Sequence, residues 1–87
     1  MTKDDIDNLA DELGTPMLRM DGYDDCVIGY VRAFGRSAVL LYDHDLVIAK
    51  LAADMTVEEA EEFFEFNQAG AYVGPGTPAF AFLEGAD

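Results

Sequence analysis

MTVEEAEEFFEFNQAGAYVGPGTPAFAF, residues 55–82, decides how this chain is read. Thr56-Val57-Glu58-Glu59 is a capping box: the threonine oxygen accepts from the Glu59 amide, and the Glu59 side chain reaches back to the Thr56 amide. A helix is therefore expected over 57–68, with Val57, Ala60, Phe63 and Phe64 as its buried stripe. Glu58, Glu61, Glu62 and Glu65 face water. Gly70 supplies a stop. Beyond it, 71–73 suits a short strand, the Gly- and Pro-rich 74–78 a tight loop, and 79–83 a last strand. Residues 84–87 fray.

Upstream of that stretch, two apolar runs, CVIGYVRAF (26–34) and SAVLLYD (37–43), flank Gly35-Arg36. Their Val, Ile, Tyr and Phe content and the short break favour a hairpin with strands near 27–34 and 37–42. A helix over 24–34 is the rival, capped by Asp24 or Asp25, with Val27, Tyr30, Val31 and Phe34 on one face. Val39, Leu40 and Leu41 run on without polar alternation, as in a strand covered on both faces. Asp43 is placed to cap a mostly apolar helix over 44–53, in which Lys50 is the one basic residue. Near the start, Ile6, Leu9, Ala10 and Leu13 share a helical face over 4–13, capped by Asp4 or Thr2 and stopped by Gly14 and Pro16. Asp21-Gly22 signals a turn.

Helix, hairpin, helix, helix, strand, strand is the order of an α+β domain. The small sheet is expected to be mainly antiparallel, with helices on one face. One domain is expected: a helix and connector over 1–22, a core over 23–83, and the frayed tail. With 87 residues and 51% hydrophobic composition the chain is globular, but its core is thin. A homo-oligomer would be one way to cover leftover apolar surface.

The formal charge of −13 is the strongest compositional fact. So acidic a surface repels phosphate backbones, which argues against direct nucleic-acid binding. It attracts basic surfaces, those of nucleic-acid-binding proteins included. The lone Cys26 excludes an intrachain disulfide framework and reads as a buried thiol. No basic and apolar leader is visible, and no apolar run approaches the roughly 20 residues that span a bilayer. A bacterial cytoplasmic location, without membrane partners, is the expectation.

Tyr42 to Asp45, YDHD, is the nearest approach to a metal site. Asp43, His44 and Asp45 offer one nitrogen and two carboxylates, and Asp24 or Asp25 could join them. Adjacent residues at a helix start diverge, however, and capping by Asp43 with His44 and Asp45 in water explains the same letters. The glutamate face at i, i+3 and i+4 suits either a binding surface or plain solvation. Asn67 would lie on the stripe of Ala60 and Phe64, where its amide needs partners, either the following loop or a ligand. The 74–78 loop lacks the lysine and helix of a phosphate cradle, and its prolines remove amide donors. Ser37 and Cys26 have only His44 as a base, with no nucleophile-elbow pattern. The residues point to no cofactor, no metal and no catalytic set.

Tyr23-Asp24-Asp25, Leu41-Tyr42-Asp43, Glu58-Glu59-Ala60 through Glu65-Phe66-Asn67, Gly70-Ala71-Tyr72-Val73-Gly74 and Gly76-Thr77-Pro78 together resemble a family of small proteins encoded by tailed bacteriophages and prophages. The resemblance covers roughly residues 23–80 and is most distinctive in the last third. It implies an accessory protein in a bacterial cytoplasm, and no catalytic residue comes with it.

The leading expectation is a non-enzymatic protein that binds a host or phage protein, one with a basic surface among the options. Its contact residues would be Glu58, Glu62 and Glu65 with the loop carrying Tyr72 and Thr77. Asp24, Asp25, Asp43 and Asn67 are the other candidates, and Asp24, Asp43 and Asn67 mark an alternative ligand or metal site of a small oligomeric module or enzyme. A virion structural component is the third reading.

Overall fold

The computed structural model describes residues 1–15, 17–32, 35, 37–66 and 77–83. It is an α+β fold with three α-helices and a three-stranded sheet among those residues. Helix α1, Lys3–Leu13, starts from a capping box of its own: Thr2 accepts from the Asp5 amide, and Asp5 accepts from the Thr2 amide. Gly14 closes it at φ 63°, a left-handed cap that glycine takes without a Cβ penalty. The Met20–Tyr23 turn follows, with Gly22 at φ 86°.

Strand β1, Val27–Val31, follows a 3-10 turn at Asp24–Cys26, and strand β2 is Val39–Asp43. The two pair antiparallel, so the hairpin holds and the helical alternative over 24–34 does not. Both strands are shorter than or offset from the expected 27–34 and 37–42. Val27 faces Tyr42 and Gly29 faces Leu41, which leaves Ile28 as the extra residue of a bulge on this edge strand. Bulges of this kind blunt an edge against further pairing.

Helix α2, His44–Leu51, leaves β2 without a loop, since Asp43 is both the last strand residue and the helix cap. Helix α3, Val57–Phe64, follows a short turn, and β3 is Ala79–Ala81. The sheet order is β1-β2-β3, with β3 parallel to β2: Leu41 faces Ala79, Tyr42 faces Phe80 and Asp43 faces Ala81. Among the described residues the sheet is thus mixed, with one antiparallel and one parallel pairing, and not mainly antiparallel. Two helices lie between β2 and β3 in sequence, and that length of crossover is what a parallel return requires. Helix α2 ends earlier than 44–53 implies, and the 79–83 strand stops at Ala81; after Phe64 the chain stays helical through Glu65 and Phe66, and the rest of the expected 57–68 helix lies outside the described residues. The strand expected at 71–73 lies outside the described residues.

One cluster forms the core. Leu40 and Tyr42, on one face of β2, are wholly buried with Val47 of α2 and Ala60 and Phe64 of α3. Ile6 of α1, Cys26, Val27, Ile48 and Leu51 complete it. Val39 and Leu41, on the other face of β2, are only half-buried, so the strand is not equally covered on both sides. The Tyr42 hydroxyl oxygen accepts from the Met20 amide at 2.7 Å, tying the connector before β1 to the central strand.

Candidate functional site

Helix α3 carries the acidic face. Thr56 Oγ1 accepts from the Glu59 amide at 3.1 Å and Glu59 Oε1 accepts from the Thr56 amide at 3.0 Å. That backbone bond, then the threonine hydroxyl, holds the Glu59 carboxyl below its ordinary range. Glu59 is therefore committed to the cap. Glu58, Glu61, Glu62 and Glu65 are all exposed. At about 100° per residue they fall within an arc of about 100° on one side of the helix. Their i, i+3 and i, i+4 repulsions cost a few tenths of a kcal/mol each. No basic residue offsets them in the last turn, where the helix dipole also disfavours acids.

The expected buried stripe of this helix is narrower than four residues. Ala60 and Phe64 are at 0% exposure, whereas Val57 is 60% and Phe63 41% exposed. Val57 sits at the outer end of the helix, and Phe63 is rotated by about 100° from Phe64, away from the core. Phe66, at 84% exposure, adds a large apolar side chain beside the glutamates.

Beneath this face lies His44, which was expected in water and is instead buried, with 8% of its side chain exposed. His44, Val47, Ile48 and Leu51 all face the core, the i, i+3, i+4, i+7 spacing of a helical stripe. The histidine could have been placed from that spacing. Its ring stacks on Phe82 at 4.2 Å and 24°, and meets the edge of Phe64 at 4.9 Å and 78°. Nδ1 lies 3.1 Å from Asp45 Oδ1. Nε2 lies 3.5 Å from Glu61 Oε2, within ion-pair reach, yet it makes no hydrogen bond and is buried. Geometry at that distance is too poor for a bond. An unsatisfied buried polar atom of this type costs about 1–3 kcal/mol.

The remaining candidates are dispersed. Asp25 forms an ion pair with Lys50 Nζ at 2.7 Å, which depresses the carboxyl pKa, and Lys50 lies over the Tyr23 ring. Asp43 Oδ1 accepts from the amides of Asp45 and Leu46 at 2.9 and 3.4 Å, so it serves α2 as cap. Asp24 is half-buried in the 3-10 turn, and its charge acts on Tyr42. Thr77 is half-buried just before β3 and makes an interaction of its own. Asn67 and Tyr72 lie outside the described residues. Among the described residues no three His, Cys, Asp or Glu side chains gather around a point that would hold a metal ion. The Cys26 thiol is buried, and desolvation, then the Asp25 charge, raises its pKa. That is the reverse of what a nucleophilic cysteine needs.

A concavity of about 260 Å³ is lined by Glu12, Leu13, Thr15, Arg32, Ser37 and Ala38. It involves neither α3 nor His44. Among the described residues, no helix is long and apolar enough to cross a membrane. Comparison with known protein families, curated proteins and solved structures gives no match.

Proposed function

We propose that this chain is a small acidic binding protein that engages a protein partner bearing a basic and apolar surface. The observation that carries this reading is the outer side of α3, where exposed Glu58, Glu61, Glu62 and Glu65 adjoin exposed Val57 and Phe66. Carboxylates steer a cationic partner at long range, and apolar side chains supply the short-range contact. The formal charge of −13 extends that attraction over the whole molecule. Thr77, and Tyr72 from outside the described residues, would extend the contact surface. From the resemblance over residues 23–80, the setting is the bacterial cytoplasm and the partner a host or phage protein.

The test is capture from bacterial lysate at about 50 and 500 mM salt, salt concentrations that bracket strong and weak screening. The wild-type chain is compared with a Glu58→Gln, Glu62→Gln, Glu65→Gln variant of confirmed fold. A partner retained by the wild type at low salt and lost from the variant supports the reading. Identical capture profiles from the two proteins would reject it.

A further inference from the structure

His44 has an arrangement that one proton completes. A neutral imidazole has one N–H donor and one lone-pair nitrogen, while ionised carboxylates only accept. Here both ring nitrogens face carboxylates, Asp45 Oδ1 at 3.1 Å and Glu61 Oε2 at 3.5 Å. Whichever tautomer is neutral, one nitrogen turns a lone pair towards an acceptor. The imidazolium donates from Nδ1 to Asp45 and sets a positive charge at Nε2, within ion-pair reach of Glu61. Its charge would also lie over the Phe82 ring, 4.2 Å away, where an aromatic face attracts a cation.

The groups around it come from each packed element. Asp45 is on its own helix and Glu61 on α3. Asp43, ending β2, has its carboxylate turned to the α2 amides. Phe64 of α3 and Phe82, just beyond β3, contribute uncharged rings. The basic residue of the same helix, Lys50, is held by Asp25 at 2.7 Å.

We infer that His44 is a proton-operated latch: its imidazolium ties α2 to Glu61 of α3 and grips Phe82 beyond β3, and its deprotonation releases Glu61 outward. Glu61 belongs to the acidic face, so a closed latch removes one carboxylate from it. That consequence rests on the binding reading above, whereas the latch itself does not.

The experiment is an NMR titration of the full chain from pH 8.5 to 5.5, following both His44 ring nitrogens, the Glu61 carboxyl carbon and the Phe82 ring. The latch requires both nitrogens to become protonated, with Glu61 and Phe82 signals moving at the same midpoint. Glu61 is at the surface, so Glu61→Gln keeps the fold and removes the second bridge. It should lower the midpoint by about half a pH unit or more, roughly threefold in proton affinity. A midpoint unchanged in Glu61→Gln, or Phe82 signals that stay fixed while His44 titrates, would overturn the inference. No partner is needed, so failure of the binding proposal leaves this result readable.

Discussion

Tyr42 shows how much one side chain can hold. Its ring fills the centre of the core, tilted against Phe80 at 5.9 Å, and its hydroxyl satisfies the Met20 amide. Tyr42→Phe keeps the ring and strands that amide without an acceptor, at a cost of about 1–3 kcal/mol. Urea denaturation at neutral pH measures it. Burial, ahead of every other influence, raises the Tyr42 pKa. A pKa higher in the folded than in the unfolded chain means the contribution is complete below about pH 10, the ordinary tyrosine value. It is lost as pH rises through the folded value. The wild type should therefore lose stability above pH 10 more steeply than Tyr42→Phe, read as Tm against pH. His44 teaches the opposite lesson at this scale. Its burial follows from its spacing with Val47, Ile48 and Leu51, but the two carboxylates beside it come from different helices.

At the scale of elements, the two capping boxes are the most sequence-determined features of the molecule. Thr2 with Asp5, and Thr56 with Glu59, start α1 and α3 through contacts three residues apart. Nothing distant is needed for either. Thr56→Ala should cost about 1 kcal/mol in chemical denaturation. Backbone and hydroxyl donors of the caps lower the pKa values of Asp5 and Glu59 in the folded chain. A lowered value makes their contribution complete above the ordinary carboxylate range near pH 4, with loss as pH falls through the folded values. Thr56→Ala should accordingly show a shallower acid limb than the wild type between about pH 5 and 2. The far ends of elements were less legible. Helix α2 stops at Leu51, and the stripe of α3 reduces to Ala60 and Phe64, with Val57 and Phe63 left exposed.

For the molecule as a whole, charge is the governing quantity. Extents of 39 × 27 × 24 Å are comparable with the Debye length of about 30 Å at 0.01 M salt. At low salt, therefore, the carboxylates repel one another across the entire fold. The ion pairs Asp7–Arg19 and Asp25–Lys50 are exposed and offset little of this. Raising salt from about 0.01 to 0.15 M shortens the Debye length to about 8 Å. Thermal denaturation should then show a higher Tm, while capture of a basic partner weakens. A falling Tm would mean that attractive pairs outweigh the repulsion.

What the sequence determined by itself was local: where helices begin, that the apolar runs at 26–34 and 37–43 favour a hairpin, and that a glutamate face runs along 58–65. Each depends on neighbours within a few positions, on capping bonds, β-branched runs and helical spacing. Tertiary structure decided the rest. The parallel placement of β3 on β2 depends on how two helices pack between them, which no local propensity encodes. The duties of the acids were likewise assigned in three dimensions: Asp43 to a cap, Asp25 to Lys50, Glu61 to the ring of a buried histidine. A carboxylate reads the same along the chain wherever it stands, and only the groups that folding brings within a few ångströms give it a role.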